Sequence, residues 1–216
     1  MSNKIRIAVL VSGGGTNLQA LIDAERSGKI KNGEIALVIC NRKSAYAIER
    51  ARNAGIRGEI VTRKAYGGQE GFEARMIELF EEEVIELIVL AGFLNILSGG
   101  FTDRYDHRIV NIHPSLIPAF SGEGFYGLTP HIAALERGVK VTGATVHFVN
   151  GVADGGEIIA QKAVDVLPGD TPEVLQRRVM EEAEWVILPA AVSMLCDRMT
   201  EERERNNGCV QSTELQ

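Results

Sequence analysis

Cysteine is scarce in this 216-residue sequence: Cys40, Cys196 and Cys209 are the only three. They are odd in number, far apart and in no Cys-x-x-Cys spacing. That excludes a disulfide framework and a cysteine zinc site, and predicts reduced thiols in a cytoplasmic compartment. Long hydrophobic runs are also missing. Ile5–Val11 and Leu87–Ala91 have strand length, far short of the roughly 20 residues of a membrane span. Met1–Lys4 is polar, and Gly13–Gly15 interrupts the first apolar run too early for a signal peptide. Nor is there an excess of positive charge. The 23 basic and 29 acidic side chains sum to −6 at pH 7, which argues against a nucleic-acid surface but not against a small cationic pocket. The four histidines form neither His-x-His nor His-Glu-x-x-His, so no metal is expected.

What remains is globular. Hydrophobic residues are 45% and charged residues 24% of the chain, enough for a full core without staples. At roughly 150 residues per domain the length predicts one domain, over residues 1–199. No repeat or low-complexity linker divides it. The softest boundary is the loop from Ile117 to Pro130, with its glycines and prolines. The polar stretch 200–216, with Asn206-Asn207-Gly208, reads as a frayed helix end running into a flexible tail.

Strand-like and helix-like segments alternate through the first hundred residues. Lys4–Val11, Glu34–Cys40, Arg57–Thr62 and Glu86–Ala91 read as strands. Between them, Asn17–Arg26, a segment capped by Ser44 and ending at Ala54, and Glu70–Val84 carry helical periodicity. Continuous apolar strands between amphipathic helices imply a parallel sheet covered on both faces. Arg108–His113 adds a strand. Thr142–Asn150 and Glu157–Val164, joined by Gly151–Gly156, read as an antiparallel pair. A long helix from about Thr171 to Met199, kinked at Pro189, closes the chain. The fold class is therefore α/β: a doubly wound, mostly parallel sheet with a C-terminal antiparallel pair and a long helix.

Ligands of open α/β sheets bind beyond the carboxyl ends of the strands, and four polar segments fall there. Ser12-Gly13-Gly14-Gly15-Thr16-Asn17 follows the first strand. Its glycines allow either a tight turn of purely structural purpose or an anion site of backbone N–H groups at a helix N-terminus. It lacks the lysine of a nucleotide-hydrolysing loop and the spacing of a dinucleotide fingerprint. Asn111 and His113 share one side of a strand. Together they are either a strand-end histidine with its neighbour or a pair that stabilises an oxyanion and handles a proton. Asp154, before Gly155, is either a turn former or the partner that raises the pKa of His113. Phe93–Leu97 ends the fourth strand. His131 reads as a helix cap or surface residue, and His147 shares a strand face with Thr145.

Val11-Ser12-Gly13-Gly14-Gly15-Thr16-Asn17-Leu18, Leu90-Ala91-Gly92-Phe93, Asn111-Ile112-His113-Pro114-Ser115-Leu116-Ile117-Pro118, Val146-His147-Phe148 and Asp154-Gly155-Gly156 occur in that order. In this the chain resembles the folate-dependent glycinamide ribonucleotide formyltransferases of purine biosynthesis, over roughly residues 5 to 195. The resemblance implies a Rossmann-like sheet of formyltransferase type. It also implies transfer of a formyl group from 10-formyltetrahydrofolate, as co-substrate, to the amine of glycinamide ribonucleotide. Asn111, His113 and Asp154 match the catalytic trio. Gly15, Thr16, Asn17 and Glu184 match the ribonucleotide site, and Leu94, Asn95, Ile96, Leu97, Gln69 and Asn111 the folate site. Residues 1–100 would form the nucleotide-phosphate half and 101–199 the folate and catalytic half. A cis peptide is implied before Pro118. A monomer or homodimer without nucleic acid, membrane or metal is implied as well.

Some positions depart from the pattern. Asn95 and Gln69 stand where arginine is frequent, Trp185 where the pair after Glu184 is usually completed by histidine, and Thr129 where a histidine is often found. The segment Ala119–Leu128 is lengthened. Related alternatives are a formyltetrahydrofolate deformylase, which would use water in place of the amine, and a methionyl-tRNA formyltransferase, which needs an RNA-binding domain. A non-catalytic phosphate-ligand binder is the reading from a different class.

Overall fold

The computed structural model describes residues 3–213, with side chains through Asn206. Seven strands form one sheet: β1 (Ile5–Val11), β2 (Gly33–Cys40), β3 (Arg57–Ile60), β4 (Leu87–Leu90), β5 (Ile109–His113), β6 (Val141–Phe148) and β7 (Ile158–Asp165). Their order is β3-β2-β1-β4-β5-β6-β7. The first five run parallel, and β6 and β7 are antiparallel to their neighbours. The helices are α1 (Thr16–Arg26), α2 (Ala47–Ala54), α3 (Gln69–Glu82), α4 (Gly99–Arg104), α5 (Thr129–Arg137), α6 (Pro172–Val179) and α7 (Trp185–Thr213).

Strand alternation builds two cores. Ile5, Ile7, Val9 and Val11 face the side packed by α1 and α7, while Ala8 and Leu10 face α3 and its Phe72, Met76 and Phe80. Both faces of β1 are therefore covered, which explains its nearly unbroken apolar sequence. The exposed edge strand β3 is short and carries Arg57 and Glu59, features that discourage pairing with another chain. The sheet continues through β5 and β6 without a break, so the 117–130 segment is a connection within one sheet.

Several expectations shift. The second helix begins at Ala47, and Ser44 does not cap it: its N-cap position is Tyr46, without a side-chain cap. The closing helix is interrupted at a π turn, Met180–Glu184, while Pro189 lies inside α7. Proline removes its own N–H and crowds the carbonyl four residues earlier. That carbonyl belongs to Trp185, the first residue after the π turn. The last helix extends to Thr213, past the boundary expected near Thr200; residues 214–216 and the side chain of Cys209 lie outside those described. Cys40 and Cys196 are buried free thiols. No helix among the described residues is long and apolar enough to cross a membrane.

Candidate active site

The carboxyl ends of β1 and β4 meet at the point where strand order reverses. Ser12 N–H donates to Gly92 O (3.1 Å), and Leu94 N–H donates to Ser12 Oγ (2.8 Å). This ties the glycine loop to the segment that follows β4. On one side α1 starts at Thr16 from Gly15, whose φ of 72° lies in the left-handed region. A Cβ on Gly15 would come 2.8 Å from Ala47 Cβ, so glycine is required by both conformation and space. Asn17 Nδ2 donates to Glu184 Oε2 at 2.6 Å, bringing α1 against the π turn across 167 positions. Asn17 Oδ1 is buried without a partner. Burial holds the Glu184 carboxyl above its usual range, against the lowering effect of the Asn17 amide. π turns within helices often accompany functional sites, and this one carries the buried acid.

On the other side, β5 brings Asn111 and His113 to one face. Antiparallel pairing sets Asn111 opposite His147 and His113 opposite Thr145. Asn111 Nδ2 donates to His147 Nε2 at 3.1 Å, and His147 Nδ1–H donates to Phe148 O at 2.7 Å. Asp154, with φ 53°, projects from the turn after β6. Its Oδ2 lies 3.4 Å from His113 Nδ1, and its Oδ1 lies 3.5 Å from His147 Nε2. Four side chains from three consecutive stretches of sheet and turn thus share one network.

The 119–128 segment closes over it. Gly122 N–H donates to Asp154 Oδ2 at 2.8 Å, and Phe120 O accepts from His113 Nε2 at 3.0 Å. Ser115 Oγ donates to Ala119 O (2.6 Å), and Thr145 Oγ1 donates to Ser115 O (2.7 Å) and accepts Ile117 N–H (3.1 Å). The Ile117–Pro118 peptide is cis.

Electrostatics corrects one expectation. Asp154 does pull the pKa of His113 up, but burial pulls it down more strongly, and the result lies below the usual imidazole range. For Asp154 burial pushes upward, yet the adjacent His147 ring, the Gly122 N–H and the His113 ring outweigh it and hold the carboxyl below its usual range. His131 is a second correction. It is neither a cap nor a surface residue: it is 1% exposed, both ring nitrogens lack partners, and burial with nearby His113 pushes it down to about 4.

The segment after β4 is anchored from α3. Gln69 Nε2 and Arg63 Nη2 both donate to Ile96 O (3.1 and 2.9 Å). Buried Glu73 accepts Ser98 N–H and Oγ–H (2.7 and 2.6 Å). Leu94 and Ile96 are exposed and Asn95 half-buried, whereas Leu97 turns into the core beside Phe101. Gln69 acts on this lip through the Ile96 carbonyl. The lip precedes residue 100, so candidate folate residues come from both halves of the chain.

Sequence reasoning missed His147. The signal that finds it is register: once β5 and β6 pair antiparallel, the residue opposite Asn111 is determined. A concavity of about 1270 Å³ lies elsewhere, between α1 and α7. Thr16, Arg50 and Trp185 line it, and none of Asn111, His113 or Asp154 does.

The family described as Formyl transferase matches residues 5–192. The trifunctional purine biosynthetic protein adenosine-3 of Gallus gallus is 42% identical over 96% of this chain, which spans only 20% of that protein. Phosphoribosylglycinamide formyltransferase of Escherichia coli (strain K12) is 39% identical over 89% of this chain and 88% of its own length. Among solved structures, glycinamide ribonucleotide transformylase 1 from Symbiobacterium toebii superposes with a TM-score of 0.84 at 44% identity, covering 91% of this chain and 90% of that one.

Proposed function

The chain belongs to the formyl transferase family, and from that premise we propose that it transfers the formyl group of 10-formyltetrahydrofolate to the primary amine of glycinamide ribonucleotide. The products are N-formylglycinamide ribonucleotide and tetrahydrofolate, a step of purine biosynthesis. The observation that carries this reading is the Asn111–His147–Asp154–His113 network at the carboxyl ends of the sheet.

The amine nitrogen attacks the formyl carbon, and the carbonyl electron pair moves onto oxygen. Asn111 Nδ2 and a ring N–H of His113 are the donors for that oxyanion. His113 gains its proton more readily as negative charge develops opposite it, and Asp154 supports the resulting imidazolium. Collapse of the intermediate breaks the bond from carbon to folate N10. The proton lost by the amine is delivered to N10 through Asp154, His113 and water. Since Phe120 O holds the His113 Nε2–H and Gly122 N–H holds Asp154, substrates enter with displacement of this segment.

Gly15, Thr16 and Asn17 would hold the substrate phosphate. Glu184 would meet the substrate amine, and the buried, unpartnered Asn17 Oδ1 is an acceptor awaiting a donor at that place. The folate ring would lie along Leu94, Asn95 and Ile96, with backbone from Leu97 and support from Gln69. Buried free thiols at Cys40 and Cys196 support a reducing, cytoplasmic setting. The test is folate absorbance with and without glycinamide ribonucleotide. Release of tetrahydrofolate that requires the nucleotide is expected. Release without it would make the protein a deformylase, and no release by folded protein would leave a binding module.

A further inference from the structure

We propose that Arg50 positions the phosphate loop and supplies its positive charge, so that the enzyme selects a phosphorylated amine over the same amine without phosphate. This rests on reading Ser12–Asn17 as the substrate-phosphate site.

The loop is held from α2. Gly13 O accepts Ala47 N–H at 3.3 Å, and Gly14 O accepts Arg50 Nε–H at 2.8 Å. Across a planar trans peptide the carbonyl and the N–H point opposite ways. Drawing those two carbonyls toward α2 therefore turns the N–H groups of Gly14 and Gly15 outward, and neither has an acceptor among the described residues. Consecutive outward N–H groups at the start of a helix form an anion cradle. Its shape depends on Arg50.

The charge of Arg50 is left over for a ligand. Nη1 donates to Gln19 Oε1 at 2.9 Å, Gln19 Nε2 donates in turn to Asp23 Oδ1 at 2.9 Å, and the guanidinium lies 5.1 Å from the Tyr46 ring centroid. These contacts orient the group without neutralising it: Arg50 makes no ion pair among the described residues. Arg57, by contrast, is matched by Glu59, Glu82 and Glu83. A guanidinium with fixed orientation, an uncompensated charge and a free Nη2 suits a phosphate better than a carboxylate-paired one. Asn17, 8% exposed at the same helix end, has its Nδ2 on Glu184 but its Oδ1 without a donor, which independently marks the place as one completed by a ligand that carries a hydrogen-bond donor as well as the phosphate.

The test compares wild type, Arg50→Met and Arg50→Lys on glycinamide ribonucleotide and on the dephosphorylated riboside, with calorimetric titration of inorganic phosphate and of the ribonucleotide. For Arg50→Met, KM for the ribonucleotide should rise roughly 10- to 100-fold, the worth of one hydrogen bond to a charged group. The kcat, the folate KM and the riboside kcat/KM should stay unchanged. Discrimination between the two amines should fall by the same factor, and lysine should restore part of it. A merely structural role would lower riboside turnover in parallel and would not respond to lysine. Unchanged discrimination, or a parallel fall, overturns the proposal. If wild type turns over neither amine, the transferase reading fails by itself. Calorimetry then decides on Arg50: binding by wild type that Arg50→Met loses supports it, while equal binding or none overturns it. Should Arg50→Met fail to fold, Arg50→Lys and Gln19→Leu read the same ratio, with a smaller loss expected from each.

Discussion

Asn111 and His147 stand directly opposite each other across β5 and β6, amide nitrogen 3.1 Å from imidazole nitrogen. The histidine takes one amide hydrogen and fixes the carboxamide plane, and its Nε2 also lies 3.5 Å from Asp154. His147 is thereby the joint between the two polar ends of the trio. Replacing it with phenylalanine keeps a planar ring and removes both contacts. The expected result is a kcat lower by roughly 10- to 100-fold, with little change in either KM. Steady-state formyl transfer measures it, and an unaltered kcat would remove His147 from the account.

Asn111 itself should matter more. An oxyanion donor typically carries about 2.7–4 kcal/mol of barrier, or roughly 100- to 1,000-fold in rate. Asn111→Ala is expected to lose at least that much turnover while keeping its melting temperature near wild type, because the site is only partly buried. Intact turnover in the folded variant would refute the assignment.

Glu184 gives a prediction of opposite signs. Its carboxyl is held above the usual range by burial. The folded state therefore favours the protonated form, and stability falls as pH rises from the unfolded pKa through the raised folded one. Glu184→Gln, which keeps shape and can still bond Asn17, should raise the melting temperature at pH 7 while weakening turnover of the amine substrate. A lower melting temperature would contradict the burial argument.

His131 should shape the acid side of the stability profile. Its pKa of about 4 lies below the unfolded value near 6.5, so its contribution is fully present above about pH 6.5 and is lost as pH falls toward 4. The difference amounts to about 3 kcal/mol at 1.36 kcal/mol per unit. His113 is shifted in the same direction, so the clean measure is the difference between wild type and His131→Phe. Urea midpoints from pH 7 to pH 4 should fall less steeply in the variant; parallel slopes would count against it.

Much of the site was legible before the fold was known. Gly13–Gly15 after an apolar strand and Asn111 and His113 two apart follow from local geometry, which neighbouring residues determine; Asp154 before Gly155 read as a turn former as readily as a partner of His113 until the family resemblance singled it out. His147 was not legible, because its partner lies 36 positions away and only strand register brings them together. His131 was misread for a related reason. Its place at the start of α5 is local, but its burial is the work of distant segments.

The sequence by itself determined the alternation of strand and helix, the two-sided burial of β1, and the glycine loop that starts α1. Those follow from periods of two and 3.6 residues and from what glycine permits. Only the tertiary structure decided that β5 pairs antiparallel with β6, that a π turn before Pro189 carries Glu184 to Asn17, and that burial outweighs Asp154 in the pKa of His113. Register, a helix irregularity and desolvation are each set by atoms far apart in the chain, and no window of sequence contains their sum.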